Sequence, residues 1–169
     1  MPRTCSVCRA EFMPFLSLQR VCSPRCAAKV PRLARAADRE LTKKRRDALR
    51  PLSYWAKRAQ TAFNAWIRLR DAGKPCISCV NNNAVQWQAG HYLTVGARPE
   101  LRFDEANCHR QCSQCNHHNH GNIVSYRVGL ISRIGLAAVE SLEGPHDPLR
   151  YRAEDFKRIW SEYRERVKA

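Results

Sequence analysis

Eight of the nine cysteines fall into four close pairs, and nothing else limits the fold of this 169-residue chain so strongly. Cys5 and Cys8 have two residues between them, and Cys22 and Cys26 have three. Cys76 with Cys79 and Cys112 with Cys115 repeat the two-residue spacing. Such a pair presents two thiolates from one tight turn, so two pairs can close on a single tetrahedral zinc. The pattern predicts two structural zinc ions, one held by Cys5, Cys8, Cys22 and Cys26 and the other by Cys76, Cys79, Cys112 and Cys115. In a reducing compartment metal binding explains these pairs better than disulfides do. Cys108 is left over and reads as a small buried apolar residue.

Charge divides the chain unevenly. Residues 1–75 hold 18 Lys and Arg against 5 Asp and Glu, or +13, whereas residues 76–169 hold 12 against 10, or +2. A basic half of this density favours nucleic acid through phosphate neutralisation, independent of sequence and sensitive to salt. A membrane surface fits less well, because no basic stretch carries a strong apolar face. There is no apolar run long enough to span a bilayer, and the opening "MPRTCSVCRAEF" lacks a signal-peptide core, so a soluble cytoplasmic protein is expected.

Between Pro31 and Pro51 the sequence is rich in Ala, Leu, Arg and Lys and predicts a largely solvated helix over 32–49. Its run Lys43, Lys44, Arg45, Arg46 is a candidate phosphate contact, with Lys57 and Arg58 on the next helix. That helix is expected from an N-cap at Ser53 to Gly73, with Trp55, Ala59, Ala62, Phe63, Trp66 and Leu69 as core. Val85, Trp87, Ala89, His91, Leu93 and Val95 alternate as in a strand or hairpin, and Gly90 marks a bend or a close backbone approach. Short helices follow near 121–135 and 136–144, then a last helix over 153–167 carrying Phe156, Ile159, Trp160, Tyr163 and Val167.

The 32-residue loop between the two later cysteine pairs, from Cys79 to Cys112, is long for a simple zinc ribbon. It contains His91 and Asn107, and the second pair runs straight into Asn116, His117, His118, Asn119 and His120. A strand ending at a histidine, a loop asparagine, a cysteine pair and a helix opening on asparagine and histidine stand in the order of an HNH nuclease. On that reading neutral His91 takes the proton of an attacking water. Asn107 orients it through a ring nitrogen or nearby backbone. Asn116 with His118 or His120 would hold a catalytic magnesium or manganese, which stabilises charge on the phosphate. His117 and Asn119 are expected to face solvent, and Asn122 to cap the next helix. A third zinc site is the lesser alternative for the histidines.

The ordered set "CSVCRAEF", "VCSPRC", "AQTAFNAWIRLRDAGKPCISC", "AGHYLTVGARPELRF", "NCHRQCSQCN" and "GNIVSYRVGLISRIG" resembles the lambdoid phage NinG family, also called Rap, over nearly the whole chain. A more distant likeness is to phage endonuclease VII. The resemblance implies a structure-selective DNA endonuclease acting on branched recombination intermediates such as Holliday junctions and D-loops. It implies His91 as base and Asn116 as a ligand of the catalytic metal. Many such nucleases carry an aspartate or histidine directly before the base, where this chain has Gly90. The metal shell would then be completed by Asp104, His109 or His118.

The expected fold is α+β and helix-rich: a small zinc-stabilised ββα-metal core of HNH type, an N-terminal zinc knuckle and long basic helices. Four segments are expected, a zinc module over 1–30, a basic arm and helix over 31–74, the nuclease core over 75–135 and C-terminal helices over 136–169. The expected partner is branched or double-stranded DNA, and paired incisions in a symmetric junction are compatible with a homodimer. The competing reading is a non-catalytic, zinc-stabilised DNA-binding recombination accessory protein.

Overall fold

The structure, a computed structural model, describes residues 1–169. It divides into two compact units, Met1–Arg50 and Pro51–Ala169. No helix is long and apolar enough to cross a membrane. The architecture is α+β and helix-rich, with two separate two-stranded sheets.

In the first unit, β1 (Arg3–Thr4) pairs antiparallel with β2 (Glu11–Phe12), and the chain returns past Cys22 into α1 (Pro24–Ala48). That helix starts a full two turns before the expected position. Ser23 caps it by accepting from the Cys26 amide across 3.3 Å, and Pro24 occupies the first turn, where its missing N–H costs nothing. Pro31 is therefore inside the helix and not at its start. It leaves the Ala27 carbonyl without its intrahelical donor, which water can replace because only Cys26 is buried along the whole element. The helix is the solvated arm the composition suggested.

The second unit is built on α2 (Leu52–Arg70), which packs along α5 (Ala153–Lys168). Trp55, Ala59, Phe63 and Ile67 meet Phe156, Ile159 and Tyr163, with Cys108 buried among them as expected. Phe63 and Tyr163 meet edge to face at 5.0 Å. Pro51, not Ser53, precedes the first helical residue, and Ile67 takes the core position expected of Leu69, which is exposed. A 3.6-residue period fixes a stripe only to within one neighbour, and the twist of the pair chose Ile67. Val167 is likewise at the surface. The division of the chain falls at Arg50, so α1 stays with the zinc knuckle while α2 belongs to the core.

Strand β3 (Trp87–His91) pairs antiparallel with β4 (Cys108–Cys112), in the register Trp87 to Cys112 through His91 to Cys108. The strand is shorter than the alternation suggested, for Val85 is fully exposed and the chain turns after His91. A wide π turn (Gln114–His118) follows β4, then α3 (Ile123–Ile134) and α4 (Leu136–Glu143). Their core is Ile77, Tyr92, Leu101, Tyr126, Leu130, Val139 and Leu142. Gly129 allows α3 to approach the cysteine knuckle, because a Cβ there would lie 2.0 Å from the Ile77 carbonyl oxygen.

Candidate metal centres and catalytic pocket

Each cysteine tetrad brings its four sulfurs within 4.8 Å of one another. A tetrahedron with zinc–sulfur bonds of about 2.3 Å has edges of about 3.8 Å. The Sγ atoms of Cys8 and Cys22 are 3.5 Å apart, those of Cys22 and Cys26 3.7 Å, and those of Cys79 and Cys112 3.7 Å. Backbone amides point at the sulfurs: Cys22 N lies 3.4 Å from Cys5 Sγ and Cys112 N 3.4 Å from Cys76 Sγ. Such donors favour thiolate. The Cys8 amide leads the set that brings the Cys5 thiol down to about 6. Burial pushes Cys76 up, but the amides of Cys112, Cys79 and Ser78 outweigh it and hold the thiol down to about 7. Both tetrads can therefore bind zinc.

Asn122 occupies the N-cap position of α3 in a left-handed conformation, φ 44°, and its side chain caps nothing. Instead Nδ2 reaches Cys115 Sγ at 3.7 Å. The residue belongs to the surroundings of the sulfur cluster.

Directly beside that cluster, His91, Asn116 and His120 line one cavity of about 310 Å³, with Ala89, Thr94, Val95, Gly121 and Ile123. His91 is half-buried at the end of β3 and packs against Phe63. Its Nε2 is 2.9 Å from the carbonyl oxygen of Arg102, an acceptor that fixes the proton on that nitrogen. The unprotonated Nδ1 is 3.7 Å from Sγ of the buried Cys108, whose thiol donates a long, weak hydrogen bond to it. Burial pushes the imidazole below its ordinary pKa of 6.5, with the Arg102 carbonyl opposing, so the ring is neutral at pH 7.

Asn107 is fully buried and touches the backbone, never the His91 ring. Its Oδ1 accepts from Leu93 N at 2.8 Å, and its Nδ2 donates to Leu93 O at 3.0 Å and Leu101 O at 3.2 Å. These bonds close the loop that presents the Arg102 carbonyl. Of the two routes expected for Asn107, the backbone one is present.

The residues proposed to replace an acid at position 90 lie elsewhere. Asp104 Oδ1 caps its own turn by accepting from Ala106 N. His109 is buried against Tyr126, where burial depresses it to about 3. His118 is exposed and stacked edge-on to His117, because the π turn widens the step and rotates His118 away while carrying His120 to the cavity. His117 and Asn119 are exposed as expected.

Gly90 has a packing reason. A Cβ there would fall 2.1 Å from Gln111 Oε1 and 2.9 Å from Asn116 Oδ1. Gln111 is fully buried, donates to Ser78 Oγ and Gly121 O, and leaves Oε1 without a hydrogen-bond partner. Asn116 Nδ2 donates to Gln88 Oε1, which leaves Asn116 Oδ1 as a free acceptor at the cavity. Asn116 Oδ1 and an imidazole of His120 are thus the groups able to hold a cation there. The set is neutral and small, so a magnesium ion would keep most of its waters.

Sequence reasoning missed Arg102, Gln88 and Gln111. Arg102 acts through a carbonyl, which no side-chain identity encodes, and the two glutamines stand out only once β3 and β4 are paired. Of the candidate DNA contacts, Lys43, Lys44, Arg45 and Arg46 are on the C-terminal half of α1, and all four are exposed. Lys57 and Arg58 line a groove of about 700 Å³ between α2 and α5, where the Arg58 guanidinium stacks on Trp160 at 4.3 Å.

The family described as Bacteriophage Lambda NinG protein matches residues 1–169. Protein ninG of Salmonella phage P22 is 44% identical over 180 residues, covering 95% of this chain and 89% of that protein. Protein ninG of Escherichia phage lambda is 44% identical over 180 residues, covering 95% and 88%. Protein ninG of Escherichia phage 933W is 41% identical over 185 residues, covering 98% and 92%. No solved structure matches the chain significantly. With its full length matched and both cysteine tetrads assembled, the chain belongs to the NinG family of bacteriophage proteins.

Proposed function

We propose that this protein is a structure-selective DNA endonuclease that hydrolyses phosphodiester bonds in branched recombination intermediates. The observation that carries the reading is His91: it lines the same cavity as Asn116 and His120, and one ring nitrogen is tied to a backbone carbonyl, which leaves the other as the basic nitrogen with only the weakly donating Cys108 thiol at 3.7 Å. The order β3, β4, π turn, α3, with a cysteine pair running into Asn116, supports the ββα-metal reading and the likeness to HNH nucleases and endonuclease VII.

In this reading His91 Nδ1 takes a proton from the water that attacks phosphorus, while the bond from phosphorus to the departing sugar oxygen breaks. Depression of the imidazole pKa keeps the base unprotonated at pH 7, and the Arg102 carbonyl steadies the imidazolium once it forms. Asn107 keeps that carbonyl in place by closing the loop around it. Asn116 and His120 would hold a divalent cation, magnesium or manganese, which supplies Lewis-acid stabilisation of the phosphate charge when bound. The tetrad of Cys76, Cys79, Cys112 and Cys115 fixes the turn that carries Asn116, with zinc as its suited ion. The exposed basic stretch of α1 supplies sequence-independent affinity for DNA. Branch selectivity follows from shape and phosphate geometry.

The absence of a carboxylate from the cavity lining favours a second reading, a zinc-stabilised DNA-binding accessory protein without hydrolysis. Incubation of the purified protein with an end-labelled four-way junction, with and without magnesium or manganese, separates the two. The nuclease reading expects metal-dependent nicks near the branch. Binding without any cleavage in either metal establishes the accessory reading.

A further inference from the structure

We propose that Asn64, Arg68 and Gln88 form a phosphate-binding subsite that seats the DNA backbone next to the cavity of His91; this rests on the nuclease reading for its meaning but not for its measurement. A second trough, of about 470 Å³, adjoins the catalytic cavity and shares Ala89 and Asn116 with it. Its remaining lining is Asn64, Arg68, Gln86, Trp87 and Gln88, with no acidic residue.

The hydrogen bonds orient the amides that line this trough. Arg102 Nε donates to Gln60 Oε1, and Gln60 Nε2 donates to Asn64 Oδ1 at 2.8 Å. The Asn64 oxygen is thereby consumed and its two Nδ2 protons are left unused. Asn116 Nδ2 donates to Gln88 Oε1, which consumes the Gln88 oxygen and frees its two Nε2 protons. Arg70 is tied to Asp71 and Glu105, but Arg68 is exposed and has no carboxylate partner. The trough therefore offers the free amide donors of Asn64 and Gln88 and one positive charge, with no carboxylate in its lining. An array of donors fits an anion, and a phosphate diester needs both charge and hydrogen bonds. Lys57, Thr61, Asn64 and Arg68 also recur at helical spacing along α2, a stripe about 16 Å long. At about 3.4 Å of axis per base it runs beside roughly four or five nucleotides of one strand.

The test is equilibrium binding of a fluorescent four-way junction to the zinc-loaded protein in calcium, measured over a salt series for wild type, Arg68→Ala, Arg68→Lys and Asn64→Asp. Asn64→Asp keeps an oxygen for Gln60 and replaces the free donors by a carboxylate. Arg68→Ala and Asn64→Asp should each bind about tenfold more weakly at low salt, with a log–log salt slope shallower by about one for Arg68→Ala. Arg68→Lys should restore the slope. Affinity and slope unchanged in both weakening variants would overturn the subsite, as would an affinity loss in Arg68→Ala without a change of slope. A wild-type protein that binds but never cuts removes the nuclease reading and leaves this outcome readable.

Discussion

His91 donates its Nε2 proton to the carbonyl oxygen of Arg102 across 2.9 Å, and that one bond leaves Nδ1 as the basic nitrogen of the ring. The carbonyl is held by a loop rather than by the strand that carries the histidine. Geometry at the proposed reactive centre is thus set by Asn107, sixteen residues after His91 and five after Arg102, buried between both ends of the loop.

Replacement of Asn107 by Ala should therefore act twice. Three hydrogen bonds are lost and buried backbone groups are left unpaired, a cost of about 2–3 kcal/mol in denaturant unfolding. Junction cleavage should fall more steeply than junction binding, because the loop presenting the Arg102 carbonyl loosens while the basic surface is untouched. Equal loss of both would contradict the orienting role.

Replacement of Cys112 by Ser should lower the zinc content, read by elemental analysis, from an expected two ions per chain to one, since each tetrad is a separate site. The Pro51–Ala169 unit should lose its cooperative thermal transition, because affinity for a structural zinc is coupled to folding. Two zinc ions retained per chain, with wild-type circular dichroism, would count against the assignment.

His109 makes the stability of the second unit depend on pH. Burial, then the charges of Arg70 and Arg133, lowers its pKa from 6.5 to about 3, with Asp71 opposing. The unfolded chain binds a proton as pH falls through about 6.5, whereas the folded chain does so only near 3. The contribution is full above pH 6.5 and is lost progressively as pH falls toward 3. Between pH 6.5 and 5 wild type should lose about 1.5 kcal/mol more than His109→Gln in urea unfolding. Parallel curves for the two proteins would refute this.

Gly90→Ala should be poorly tolerated. The added methyl meets Gln111 Oε1 at 2.1 Å and Asn116 Oδ1 at 2.9 Å. A cost of about 1–3 kcal/mol is expected, together with lost cleavage as Asn116 is displaced. A variant with unchanged melting and unchanged cutting would show that the sheet has room there.

The parts of this fold that speak through local chemistry were legible in the sequence. Cysteine spacing anticipated both tetrads, since a thiolate pair on a tight turn is defined within three or four residues. The stripe Trp55, Ala59 and Phe63 anticipated the core face of α2. Pro31 misled because proline signals a boundary only when no stronger start precedes it, and Ser23 with Pro24 is stronger. The lining of the proposed site was only partly legible. His91 and Asn116 stood out by type and order, but the choice of His120 over His118 depends on a π turn that a 3.6-residue period does not anticipate. The polarity of the Asn64 and Gln88 amides follows from partners far along the chain, Gln60 with Arg102 in one case and Asn116 in the other.

The most direct measurement is single-turnover cleavage of a labelled four-way junction by His91→Ala beside wild type, in saturating magnesium, with binding measured on the same samples. Loss of a general base predicts a rate at least about 100-fold lower at unchanged affinity. Cleavage by His91→Ala at the wild-type rate would contradict the proposal that this imidazole activates the attacking water.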